Sequence, residues 1–237
     1  MSRSTRRLLL ACAILVTALA APAIGQADAT GQWNLIAQQE TIPLRPTAHG
    51  ETRGMAMVAG AMYDAVNAIE RGHQPYLLDV EAVGAQPWAS QDAAAATAAH
   101  HVLVAITPDT RHDALDTAWE ATLDDVSPDP LDPIRAEGVR AGQAAATAML
   151  AFRQDDGFLA PFDFSLVIGP DPGDWRPVTP TALDPDAWVG NEKPFLIESQ
   201  SQFRSDGPNR LTSRAYAKDF NEVKSLGAID STTRTPD

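Results

Sequence analysis

The sequence predicts an all-α protein, a portion of a helical bundle joined to a long wrapping loop rich in proline and aromatic residues. Three observations carry that expectation. Apolar residues recur at spacings of three and four in five separate segments, which places them on one face of a helix. The segments open on residues that cap helix starts, such as Ser90, Thr107-Pro108 and Asp132-Pro133. No run of useful length alternates apolar and polar residues with the period of a strand.

In the first segment Met55, Val58, Met62, Val66 and Ile69 form the stripe, with Tyr63, Asp64, Asn67 and Glu70 lying off it. The second starts at Ser90 as N-cap, with Asp92 in its first turn, and runs through an alanine tract to Ile106. The third takes Thr107 as cap and Pro108 as its first residue, and turns Leu115, Trp119, Leu123 and Val126 inward. The fourth opens at Asp132-Pro133 with an inner face of Ile134, Gly138, Ala141, Ala145, Met149 and Phe152. Gly157 is its expected stop. The fifth, from about Ser213 to Leu226, buries Tyr216, Phe220 and Val223 and stops at Gly227.

Between the fourth and fifth segments, residues 155–210 hold eight of the 18 prolines, which disfavours both helix and sheet. The same stretch carries Phe158, Phe162, Phe164, Trp175, Trp188, Phe195 and Phe203. A disordered linker is poor in aromatics, so the expectation is an ordered loop that wraps helix faces with its rings.

Residues 1–29 read as a secretory signal. Arg3, Arg6 and Arg7 make the basic start, and Leu8 to Ala21 is an apolar run too short for a permanent membrane helix. Ala23-Ile24-Gly25 and Ala27-Asp28-Ala29 are two small-residue cleavage frames. A membrane anchor, a twin-arginine route through Arg6-Arg7 and a lipoprotein site at Cys12 are the alternatives weighed. The expected location is secreted or periplasmic, with residues 30–237 as one helical domain.

Removing the leader takes away three arginines and one aspartate, so the formal charge moves from −13 to −15. That excess of acid argues against nucleic acid and against an anionic membrane surface as partners. Cys12 is the one cysteine, so the mature chain has neither a disulfide nor a thiolate to react.

Several strings, taken in order, point to a family. Arg53-Gly54-Met55-Ala56-Met57-Val58 leads into Ala61-Met62-Tyr63-Asp64-Ala65-Val66-Asn67-Ala68-Ile69 and Pro75-Tyr76. An alanine-rich helix with His100 follows, then Gly173-Asp174-Trp175-Arg176-Pro177, Lys193-Pro194-Phe195, Gln202-Phe203-Arg204 and Leu211-Thr212-Ser213. Asn221-Glu222-Val223-Lys224 and Thr233-Arg234-Thr235 close the series. Together they resemble the amino-terminal half of the bacterial vanadium-dependent haloperoxidases, which share a helical fold with type-2 phosphatidic-acid phosphatases. The resemblance implies vanadate as the complete family member's cofactor, and oxidation of a halide by peroxide, or phosphate-ester hydrolysis, as its activity.

The oxyanion-binding residues of that family arrive as K-x6-R-P, P-S-G-H and S-R-x5-H, and none of the three occurs here. Seven residues before the arginines of Arg45-Pro46 and Arg176-Pro177 stand Gln38 and Gly169. The one Gly-His pair, Gly72-His73, follows Arg71 rather than serine, and no arginine has a histidine six residues later. The expectation is therefore no catalytic, cofactor-binding or metal-binding residue and no bound vanadate. The resemblance further implies a truncated front half, inactive alone, with the missing carboxy-terminal half or a second copy as partner. The stripe Met55–Ile69 and the small-residue face Gly138–Met149 are the surfaces such a partner would cover.

Other chemistry is thinner. His100 and His101 are adjacent and so diverge by about 100° on a helix, although His112 and Asp113 could be imagined beside them. Asp64 and Asn67, three apart, favour a buried hydrogen-bonding role over catalysis. The stretch from Asp124-Asp125 to Asp132 lacks the ligand spacing of a calcium loop and reads as a solvated turn. Two functions compete with an inactive haloperoxidase-like half: an exported helical binding or scaffolding module, and an enzyme of unrelated mechanism using the carboxylates.

Overall fold

A computed structural model describes residues 28–41, 48–166, 168–177, 179 and 186–235. Among these residues seven α-helices follow in order: α1 Ala29–Thr41, α2 Ala48–Glu70, the single turn α3 Val80–Val83, α4 Gln91–Ile106, α5 His112–Val126, α6 Pro133–Arg153 and α7 Arg214–Gly227. Short 3-10 turns lie at Asp109–Arg111, Phe164–Leu166 and Ala187–Asn191. Among the described residues there is no strand, only an isolated bridge between Ile168 and Trp175. Residues 1–27 of the expected leader, with Cys12, and Arg45-Pro46 lie outside the described residues.

Helix α4 is the axis of the bundle, with α6, α2, α5 and α1 packed around it. Its middle is enclosed by these neighbours, so it carries no polar face there, and Ala93 to Ala96, Ala98 and Ala99 are all buried. These short side chains keep α4 thin. Gly138 and Gly142 of α6 complete the close approach, since a Cβ on either would fall 2.4 Å from a backbone oxygen of α4 or of Ser90, its cap. The remaining core is Trp33 and Ala37 from α1, Met57, Val58, Met62 and Ile69 from α2, Leu115 from α5, and Met149 from α6.

Local signals placed the helix starts well in three cases. The Ser90, Asp132 and Ser213 side chains accept from the N–H of Ala93, Ile134 and Tyr216. The third segment differs. Thr107 closes α4 rather than opening a helix, its N–H donating to the Leu103 carbonyl, and Pro108 leads a 3-10 turn before α5 begins at His112. In α6, Ile134 meets the α4 cap through its carbonyl, which accepts from the Ser90 N–H, and its side chain is 47% exposed; the helix ends at Arg153, four residues before Gly157.

Two larger differences concern what is covered. The small-residue face of α6 and the Val58, Met62 and Ile69 positions of the α2 stripe are buried where α2, α4 and α6 pack together, with Met55 and Val66 partly buried beside them. The face of α7 is the one left open: Phe220 is 56% and Val223 71% exposed, and no residue of α7 is buried. Amphipathic spacing says that a face needs burial but not what lies opposite it.

The segment after α6 is mixed. Trp188 is buried against Phe158, and Phe195 packs on the core and accepts the Tyr76 hydroxyl hydrogen bond at its carbonyl. Phe203 is 79% exposed, and Phe164 meets Trp175 at the surface.

Candidate functional site

Two polar clusters are built into the bundle. The first joins α2, α6 and the segment that follows α6. Arg153, at the last turn of α6, is buried and sends Nη2 to Asp156 Oδ2 at 2.6 Å and to Glu192 Oε1 at 2.8 Å. Arg53 of α2 reaches the same Asp156 oxygen at 2.8 Å and Glu192 at 3.4 Å. Arg153 Nη1 also donates to the Lys193 carbonyl at 2.7 Å, and the Lys193 N–H donates to the Asp156 carbonyl at 2.7 Å. Two guanidiniums and two carboxylates thus neutralise one another, with Phe195 under Arg153 at 3.9 Å and Phe158 under Arg53 at 4.5 Å.

The balance inside this cluster is not even. Burial, and next the neighbouring Asp156 charge, push the Glu192 carboxyl up, against the pull of both arginines. Above it lies an open cleft of about 570 Å³ lined by His49, Arg53, Glu192, Lys193, Phe195 and Arg204 among others. In the cleft the Thr52 hydroxyl donates to the Ala48 and His49 carbonyls, the His49 ring lies 3.4 Å from Asp186, and Arg53 is already committed to carboxylates. The geometry makes this a lock between chain segments.

The second cluster sits between α4 and α5. His100 is buried, lies flat on Trp119 with centroids 4.7 Å apart, and meets Asp116 at 2.7 Å through Nε2. His101 Nδ1 lies 3.0 Å from the Thr97 carbonyl and 3.3 Å from His100 Nδ1. A carbonyl only accepts, so His101 carries its proton on Nδ1, and His100 presents a lone pair there and its proton to Asp116. Burial lowers the His100 pKa, chiefly against the hydrogen bond to Asp116. An Asp-oriented imidazole is the arrangement of a general base. Here it is stacked between indoles, with Trp33 edge-on, and the main clefts are lined by other residues.

The structure therefore brings His100 and His101 together with Asp116, not with the imagined His112 and Asp113. His112 Nε2 lies 3.2 Å from the Thr107 carbonyl, and Asp113 is exposed. Among the described residues no group of three or more His, Cys, Asp or Glu is arranged to hold a metal ion.

Asp64 and Asn67 take the hydrogen-bonding role. Asp64 accepts from the N–H groups of Tyr76, Leu77 and Leu78, and Asn67 both donates to and accepts from the His73 backbone. Arg176 spends its guanidinium on the carbonyls of Gly169, Pro170 and Asp171, folding its own loop. The acidic turn is tied by Arg135 to Asp124 and to the Ser127 carbonyl. Sequence reading missed the Arg–carboxylate lock. The Arg153/Asp156 pair three apart was its one local signal.

No described helix is long and apolar enough to cross a membrane. No protein-family model, no curated protein and no solved structure matches the chain.

Proposed function

We propose that this chain is an exported helical binding module resembling the amino-terminal half of a vanadium-dependent haloperoxidase, and that it associates with a helical partner instead of oxidising halide or hydrolysing phosphate esters itself. The observation that carries this reading is the open apolar face of α7, where Phe220, Val223 and Leu226 are exposed along a capped helix. Large exposed apolar surface on a folded chain marks an interaction site. The absence of K-x6-R-P, P-S-G-H and S-R-x5-H from the sequence supports the non-catalytic half of the reading. So does the state of Arg53 and Arg153, whose charge is spent on Asp156 and Glu192 rather than held open for an oxyanion.

In this reading the segment from 155 to 210 wraps part of the bundle, with Phe158, Trp188 and Phe195 as the rings that hold it there. Export follows from the basic and apolar leader. The test is calorimetric titration of the purified chain with vanadate, alongside a halide-oxidation assay with peroxide. Baseline heats and no turnover are expected; a stoichiometric binding heat or halide oxidation would sink the reading.

A further inference from the structure

We infer that the occupant of the α7 face is a second copy of this chain, its α7 lying parallel about a two-fold axis. This deepens the binding-module reading and rests on it.

The helix needs a cover. It is 14 residues long and buries none of them. A helix below about 12–15 residues is marginal in water without packing. What holds α7 within its own chain is local: the Ser213 cap, Asn209 Nδ2 donating to Asp219 at 2.9 Å, and Arg234 donating to the Leu226 carbonyl at 3.3 Å.

The seam has coiled-coil spacing. Tyr216, Phe220, Val223 and Gly227 step by four, three and four, which are successive d, a, d and a positions of a heptad. Tyr216 and Phe220 already stack along the seam, with centroids 6.3 Å apart. Arg214, Lys218, Glu222 and Ser225 lie on the opposite face, so pairing buries none of those charges. Leu211 before the helix and Ile229 after it are further exposed apolar residues.

The charges choose the occupant and its direction. Asp219 falls at g and Lys224 at e, on opposite flanks of the seam and five residues apart. In a parallel pair, a g residue faces the e residue five positions on in the other helix. Asp219 of each copy then meets Lys224 of the other, and the two-fold axis makes the pair twice. Antiparallel pairing centred on the same seam sets Asp219 against Leu226 and Lys224 against Ala217, with no charge matched. The sequence is thus complementary to itself in one direction only.

The experiment is sedimentation equilibrium of the full chain across a concentration series. The wild type should dimerise, and Phe220→Asp should remain monomeric. Asp219→Lys and Lys224→Asp should each weaken association by at least about tenfold, because each replaces two attractions by two repulsions. An equimolar mixture of those two variants carries matched charges again and should return to within about threefold of the wild type. That recovery also shows that neither substitution has unfolded α7. A wild type that stays monomeric, reversals without effect, or a mixture that does not recover each overturns the parallel dimer. Those outcomes leave the vanadate and halide result untouched, so failure of the dimer and failure of the module reading are read from different measurements.

Discussion

Gly142 of α6 faces Ala94 of α4 so closely that a Cβ on the glycine would lie 2.4 Å from the Ala94 carbonyl oxygen and 2.7 Å from the Thr97 Cβ. Alanine in place of a mid-helix glycine normally stabilises by about 1 kcal/mol. Here the opposing atom is backbone, and the two helices must separate along their whole contact. Gly142→Ala should lower stability by about 2 kcal/mol, as overpacking of a tight interface does. Urea unfolding followed by circular dichroism checks the sign, and a more stable variant would show that α4 and α6 are not this close.

Arg153 is the buried member that both carboxylates of the lock share. Arg153→Ala leaves Asp156 and Glu192 facing each other with only Arg53 between them. Breaking a buried pair from one side costs about 3–5 kcal/mol, and the same unfolding assay should find a loss of that order. Arg153→Lys should recover only part of it, since one ammonium cannot reproduce the fork that reaches Asp156, Glu192 and the Lys193 carbonyl.

The lock also titrates. Glu192 has its pKa raised in the folded chain, so the folded state holds that proton where the unfolded state has lost it. Its contribution is fully present below the ordinary glutamate value and disappears as pH rises through the raised one. Wild-type stability relative to Glu192→Gln should therefore improve as pH falls through that window. A difference that is flat with pH, or of opposite slope, would show that the arginines outweigh burial.

His100 works in the other direction. Burial lowers its pKa, so the folded chain resists the proton that the unfolded chain accepts, and stability drops as pH falls from the ordinary histidine value through the lowered one. The C2 proton of His100 in a proton NMR titration should shift at a pH below that of an exposed histidine. Asp116→Asn removes the interaction that opposes the shift and should move the midpoint lower still. A midpoint unchanged by Asp116→Asn would remove the dyad.

Much of the bundle is legible locally. Ser90, Asp132 and Ser213 declare helix starts because a cap is a contact between residues two or three apart. Helix α1 is not legible, because Ala29, Trp33 and Ala37 offer only three buried apolar positions within a polar sequence, and partners from α2 and α4 complete the pattern. The Trp33 indole donates to Thr122, 89 residues away. The polar clusters escape for the same reason. His100 finds Asp116 across an interhelical turn, and Arg153 finds Glu192 only after a proline-rich segment has come back.

The start of α1 bears on the proposed leader. Asp28 caps the helix by accepting from the Gly31 N–H at 2.8 Å, and Ala29 is buried in its first turn. Cleavage after Ala29 would remove both, whereas cleavage after Gly25 keeps them. Amino-terminal sequencing of exported protein should begin at Gln26. A start at Thr30 would mean that α1 forms without its cap.

The lock between Arg153, Asp156 and Glu192 has one more consequence, for how this chain can change over generations. It fastens residues 153–156 to residues 192–193, and beside it Phe158 packs on Trp188 and Asp186 meets His49 of α2, so residues 159–185 are joined to the bundle at neighbouring posts. Once such a loop is tied at its base, doubling its length adds only about 0.6 kcal/mol of closure entropy. Insertions and deletions there are nearly invisible to the bundle, provided that the posts remain. Length should accordingly drift between 159 and 185 among descendants of this sequence, while the four charged side chains at the base and the buried Trp188 stay put.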